Sequence, residues 1–414
     1  MSVIAYSIPV FFALIGVEVA VARWKKRSVY RFSDAISDLS CGVLNQVFGV
    51  LIGLATIAIY VHVQAHFAFL TIPMDAWWGW LACFVLVDFC YYWFHRISHE
   101  VGFMWAAHVV HHQSEEYNLS VALRQSSLQP GYSWVFYLPL AFIGFPPVMF
   151  YSMSAVNTLY QFWIHTRLIG RMGPLEWILN TPSHHRVHHG QNPQYIDRNH
   201  AGIFILWDRL FGTFEPEGED VVYGITEPSR SWNPLWVNVH AWAGLVSRAR
   251  RTRRLVDKVR VFVERPGWLP PDLTDDKASL GWPPPKYDPP IPSGVTSYVA
   301  LQFVWVVLGT VGYLLVPTRE ALLQKLGFGL AIFLAVLAFG GLLEGRRWAY
   351  GLEWFRPAVT VIGLGMLFGM DLPLGVYLGA IVWIIGSLWA VRRMSKGGAL
   401  VGASPSSDSA PAVE

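Results

Sequence analysis

Repeated apolar runs, each about as long as a bilayer is thick, constrain this chain more than any other feature. A helix needs about 20 apolar residues to cross the hydrocarbon core, and only helices and closed barrels satisfy every backbone polar group there. Such runs lie at Val3–Ala22, Cys41–Tyr60, Trp77–Phe94, Tyr298–Val316, Leu326–Leu343, Pro357–Met370 and Leu374–Val391. A longer stretch, Tyr132–Ile164, is interrupted by Gly144, Phe145, Pro146 and Pro147. It reads as two helices joined by a tight turn, crossing or re-entering the bilayer. Charged residues make up 14% of the 414, against about 25% in soluble domains, which excludes an ordinary water-soluble globule. The expectation is an all-α, polytopic membrane helix bundle of about nine spans or re-entrant helices.

Basic residues set the orientation. Arg23, Lys25, Lys26, Arg27 and Arg31 follow the first run, and Arg248, Arg250, Arg251, Arg253 and Arg254 lie in a polar central segment. Arg346 and Arg347 precede the eighth crossing, and Arg392, Arg393 and Lys396 follow the last. Counting nine crossings from an outside N-terminus puts every cluster in the cytoplasm. The N-terminus is apolar from Val3 without a basic leader, so a retained first span is expected rather than a signal peptide. Asn233–Val263, with Trp242, Leu245 and Val259 among arginines, reads as a helix lying on an anionic leaflet. The expected organisation is a first span and basic loop (1–34), a catalytic core (35–230), an interfacial helix with a Pro-rich segment (231–296), a four-span region (297–396) and a disordered tail (397–414). Cys41, Cys83 and Cys90 all fall in apolar runs without CxxC spacing and read as packing residues. The net charge of +3 gives no reason to expect a nucleic-acid partner.

Eleven of the fourteen histidines lie between His95 and His200. Ten of them group as His95 and His99; His108, His111 and His112; and His184, His185, His188 and His189, with His165 alone at the end of an apolar helix; His200 is the eleventh. Residues three and four apart share a helix face, so each group offers a face ready to bind metal, and imidazole suits iron, zinc and copper. More than eight candidate imidazoles exceed what one zinc needs, so two metal ions in a cytoplasmic, histidine-rich cap are expected. Asp88, Tyr92, His95 and His99 follow one helix face, at offsets of zero, four, seven and eleven. An aspartate in a membrane run marks a functional site by default. Asp88 either orients a ligand imidazole or caps or pairs with a neighbouring helix. His184, Asn180, Asp197 and Asn199 are candidates for supporting the ligands, with turn, capping or loop ion-pair roles as the alternatives.

These boxes, His95-Arg96-Ile97-Ser98-His99, His108-Val109-Val110-His111-His112 and His185-Arg186-Val187-His188-His189, resemble those of the fatty acid hydroxylase/sterol desaturase superfamily. Within it the chain most resembles the branch that cleaves alkylglycerol ethers. That likeness rests on Glu100 after the first box, Thr181-Pro182-Ser183-His184-His185-Arg186-Val187-His188-His189-Gly190, Ile196-Asp197-Arg198-Asn199 and Trp207-Asp208-Arg209-Leu210-Phe211-Gly212-Thr213-Phe214. It is good over roughly residues 35 to 225. It implies a non-haem pair of iron ions held by His95, His99, His108, His111, His112, His185, His188 and His189, with His165 where related hydroxylases supply a further ligand. Glu100 matches an acidic residue that the branch needs for activity; on spacing alone a helix-end surface charge is the alternative. His200 departs from the pattern, where tyrosine is expected, and is expected to face solvent.

The resemblance implies oxidation of an aliphatic C–H bond of a lipid with oxygen, with alkylglycerols the leading substrate. A sterol, fatty acid or carotenoid hydroxylase or desaturase is the alternative. Electrons must come from a separate donor, tetrahydrobiopterin or a small electron-transfer protein; no residue decides between them, and the cofactor-binding residues are unknown. The chain shows no haem-binding or dinucleotide-binding signature of its own. A divalent-metal transporter is the competing class, and it should place its ligands on broken helices near the bilayer midplane. Tail composition and compact loops favour a bacterial inner membrane, or the endoplasmic reticulum in a eukaryote.

Overall fold

The computed structural model describes residues 2–274, 281–317, 322–369 and 373–397. The chain forms two compact units, one of residues 1–287 with 310–318 and one of residues 288–309 with 319–414. Among the described residues there is no strand, only two isolated bridges, Leu179 with Phe204 and Gly190 with Tyr223. The all-α expectation holds.

In the first unit, α1 (Ser2–Trp24) and α2 (Phe32–Phe67) come first. At 36 residues, α2 is about 54 Å long, well beyond a hydrocarbon core of about 30 Å. Its composition divides accordingly. The first turns bury Asp34, Ser37, Asp38 and Ser40, and from Val47 onward the helix is predominantly apolar. Next come α3 (Trp77–Glu100) and α4 (Gly102–His112), then the short α5 (Leu119–Ala122), α6 (Pro130–Ser133) and α7 (Leu138–Ile143). Gly144 makes the break into α8 (Pro147–Trp163) with φ of 111°, and an added Cβ there would lie 1.9 Å from the Leu70 carbonyl oxygen. The tight turn therefore falls where the Gly-Phe-Pro-Pro sequence puts it. Tyr60, Cys83, Val87, Cys90, Leu140, Phe145 and Met149 form the core between α2, α3, α7 and α8. All three cysteines are free and buried.

The rest of this unit is α9 (Pro182–His188), α10 (Leu206–Phe211), α11 (Pro234–Arg251) and α12 (Leu255–Val263). The segment read as one surface helix forms two, α11 and α12. Leu245 is buried and, with Trp242, packs on Ala106 of α4 and Val261 of α12. Trp242 and Leu245 thus face the protein, and Val259 is the exposed member of the three residues.

The second unit holds α14 (Leu322–Leu343), α15 (Arg347–Phe368), α16 (Leu374–Gly397) and most of α13 (Val295–Leu315). A buried pair, Arg356 and Glu353 at 2.6 Å, is tied in with Tyr298 and Gln302. A charge removed from water survives when paired and hydrogen-bonded, as here.

Five described helices are long and apolar enough to cross a membrane, namely Ile4–Trp24, Phe32–Phe67, Val295–Leu315, Leu322–Leu343 and Gly375–Ser395. The count of nine is not confirmed. The segment before Gly144 is split into short pieces, α8 has 17 residues, α3 carries Asp88 inside its apolar run, and α15 spends its first turns on Arg347, Glu353 and Arg356. Met370 and the tail beyond Gly397 lie outside the described residues.

Candidate metal centre

The three histidine boxes ride on the C-terminal end of α3, on α4, and on α9. Val101 breaks α3 from α4, and Gly102 starts α4 where a Cβ would meet the carbonyl oxygens of Val261, Glu264 and Phe262 at 2.9–3.2 Å. Pro182 opens α9 at its first turn, where its missing N–H costs nothing.

Packing sorts nine imidazoles into two groups, each able to hold a metal ion. His95, His99, His108, His112 and His188 form one, and His111, His165, His185 and His189 the other; within each group one nitrogen per ring lies within 4.8 Å of all the others. The i,i+4 pairs His95/His99, His108/His112 and His185/His189 each stay together. Their i+3 companions, His111 and His188, cross to the opposite group. A shared helix face therefore describes the pairs and fails for these two. The groups adjoin, with the rings of His112 and His189 stacked at 4.4 Å.

Hydrogen bonds on the outer side fix the tautomers. Nδ1 of His95, His111, His165 and His188 donates to the carbonyl oxygens of His200 (2.8 Å), Arg124 (3.0 Å), Gln161 (2.7 Å) and Arg198 (2.9 Å). His108 Nδ1 donates to Gln129 Oε1 at 2.9 Å, and His99 Nδ1 faces Asp197 Oδ1 at 3.3 Å. A neutral ring that donates from Nδ1 carries a bare lone pair on Nε2. Those lone pairs face each other, His95 against His108 at 3.0 Å and His111 against His165 at 3.3 Å. No proton is available to join them. Nε2 of His99, His188 and His189 is buried without any partner. Burial pushes His108 and His165 down to about 4 and holds the other seven well below the usual imidazole value. Converging neutral nitrogen donors lacking a proton are what a divalent cation completes. The donor set fits two metal ions.

The remaining candidates fall into place differently. Asp88 touches no imidazole. It is fully buried and accepts from Asn157 (2.7 Å), the Ile203 (2.7 Å) and Phe204 (3.0 Å) amides and the Trp207 indole (2.9 Å). It joins α3 to α8 and to the loop before α10, the pairing alternative. Glu100 pairs with Arg96 at 3.0 Å and is about one-third exposed. Asp197 reaches His99 directly. Asn199 and Asn180 reach no ligand ring: Asn199 binds the His184 and Glu215 carbonyls, and Asn180 those of Ala201 and Gly202. His184 lines a polar cavity of about 200 Å³ with Arg171, Glu176, Trp177, Arg209 and Glu217.

His200 does not face solvent. It is fully buried, its ring 4.9 Å from that of His99, and its carbonyl holds His95. Asp208 clamps this loop by accepting from the His200 (2.7 Å) and Ala201 (2.8 Å) amides. Sequence reasoning missed Gln129, Gln161 and Arg124 as supports. The Arg124 guanidinium is fully buried on Asp38 at 3.0 Å, which locks the carbonyl that orients His111. Asp208 had a signal, since it stands in the matched Trp-Asp-Arg stretch.

A model of the fatty acid hydroxylase family matches residues 80–213, a span containing both imidazole groups. Alkylglycerol monooxygenase of Xenopus tropicalis is 39% identical over 353 residues, 84% of this chain and 78% of the relative. That of Danio rerio is 40% identical over 363 residues, 86% of this chain and 80% of the relative. An ornithine lipid hydroxylase of Rhizobium tropici is 29% identical over 152 residues, 34% of this chain and 44% of the relative. No solved structure matches the chain.

Proposed function

The chain belongs to the alkylglycerol monooxygenase family and is an oxygen-dependent oxidoreductase of membrane lipid, and on that premise we propose that its substrate is an alkylglycerol. The carbon beside the ether oxygen is hydroxylated. One oxygen atom of O2 enters the C–H bond, and the other leaves as water with two electrons and two protons from a donor. The resulting hemiacetal breaks its C–O bond to give an aldehyde and a glycerol derivative.

His95, His99, His108, His112 and His188, and His111, His165, His185 and His189, would hold two iron ions, which when bound would supply the oxygen activation that an unactivated C–H bond demands. The chain's own residues hold and shape that site. Asp197, Gln129 and four carbonyls keep six of the nine rings in one tautomer. Burial keeps them neutral and excludes water from the ligands. Glu100, paired with Arg96 at the end of α3, is proposed to position the polar head or the reductant. The reductant is a separate molecule, tetrahydrobiopterin in the leading reading and a small electron-transfer protein in the other. The site faces the cytoplasm of a bacterial inner membrane in this reading.

The convergence of nine buried imidazoles with bare nitrogens carries the proposal. Ligands at helix ends and in a packed cap also fit an enzyme better than a transporter, whose ligands belong on broken helices at the midplane. The test is incubation of purified chain in lipid with an alkylglycerol, a sterol and a fatty acid, each with tetrahydrobiopterin or a reduced ferredoxin. Fatty aldehyde is expected from the alkylglycerol alone, and its loss in His188→Ala. Products from the sterol or fatty acid instead would reassign the substrate.

A further inference from the structure

On α12, Leu255, Val256, Val259 and Val263 are 79%, 55%, 63% and 53% exposed. At 100° per residue they fall within an arc of about 100°, so they form one unpartnered aliphatic stripe. The opposite face is spoken for. Asp257 and Val261 are buried, Val261 packs on Ala106 and Leu245, and the Glu264 carbonyl accepts from the Gly102 amide at 2.9 Å. Just before the stripe, Arg250, Arg251, Arg253 and Arg254 are all exposed.

We propose that α12 seats its stripe in the acyl chains of an anionic leaflet, with these arginines on the lipid phosphates. Charge complementarity selects this occupant. A second copy would bring like-charged arginines together, whereas branched aliphatics beside guanidinium groups match a surface that is apolar below and anionic above. The consequence reaches the metal centre. Because α12 packs on α4 at Ala106 and Gly102, the helix carrying His108, His111 and His112 is braced from behind by a lipid-seated element.

Spin labelling tests this directly, since the native cysteines are buried. Single cysteines at positions 253 to 263 of the full-length, metal-loaded chain are labelled in phosphatidylcholine liposomes with and without phosphatidylglycerol. Collision with oxygen is then compared with collision with a water-soluble nickel chelate. Labels replacing Leu255, Val256, Val259 and Val263 should sit about 5–10 Å into the headgroup and acyl boundary, while those replacing Lys258 and Arg260 meet the chelate. Omitting the anionic lipid, or changing Arg250, Arg251 and Arg253 to Ser, should lower the ratio of immersed to free α12 about fivefold per arginine. Chelate access at every position would overturn the proposal. So would dipolar broadening between labelled copies, or protection seen only after an acidic electron-transfer protein is added.

Discussion

Replacing Gln129 by Leu should loosen one metal ion and spare the other. Gln129 Oε1 is the acceptor for His108 Nδ1 at 2.9 Å, and the bare Nε2 of that ring lies 3.0 Å from His95 and 3.2 Å from His112. Leucine keeps much of the side-chain volume and deletes the acceptor. Loss of such an outer hydrogen bond weakens metal binding about 10- to 100-fold, or about 1.4–2.7 kcal/mol. His111 and His165 hold their Nδ1 protons on backbone carbonyls that the substitution leaves in place. Titrating iron-loaded protein with a chelator should therefore show one of two irons released at about 10- to 100-fold lower chelator, with the second unmoved. Gln129→Glu, which restores an acceptor, should restore retention. Equal weakening of both irons, or of neither, would refute the assignment of His108 to one group alone.

Acid should open the metal-free cap. The ligand imidazoles are held below their ordinary value by burial, His108 and His165 at about 4, whereas the opened chain titrates near 6.5. Their stability contribution is thus full above about pH 6.5 and lost as pH falls toward 4, at about 1.4 kcal/mol per pH unit per histidine; a melting temperature that stays flat down to pH 5 would contradict this. Gly202→Ala places a Cβ 2.7 Å from Asp88 Oδ1 and 2.9 Å from Tyr91, so a loss of about 1–3 kcal/mol is expected in thermal melts. Glu100→Gln removes a partly exposed i,i+4 ion pair, costing under about 1 kcal/mol. If Glu100 serves substrate or reductant, turnover should fall with the melting temperature unchanged, and unchanged turnover would return it to a surface charge.

What the sequence shows of the site, and what it hides, follows from helix geometry. The pairs four residues apart are legible because a helix turns 40° between them whatever it packs against. The crossing of His111 and His188 is not, because it depends on how α3, α4 and α9 meet. Asp88 shares the face of His95 but lies seven residues away, about 10 Å along the axis, which puts it beside the Ile203 and Phe204 amides instead of an imidazole. Most acceptors that orient the rings are backbone carbonyls, so residue identity carries no trace of them. On α11, Trp242 and Leu245 read as a membrane-facing pair until α4 is packed against them. Hydropathy located the apolar runs but does not by itself fix the number of crossings, since buried core and bilayer select the same side chains.

The central claim is that two metal ions sit in two separate sets of imidazoles. Anomalous diffraction from crystals of the purified chain, recorded on either side of the iron absorption edge, tests it most directly. Two peaks per chain are predicted, one among His95, His99, His108, His112 and His188 and one among His111, His165, His185 and His189. A single peak, or any peak outside these sets, would contradict it.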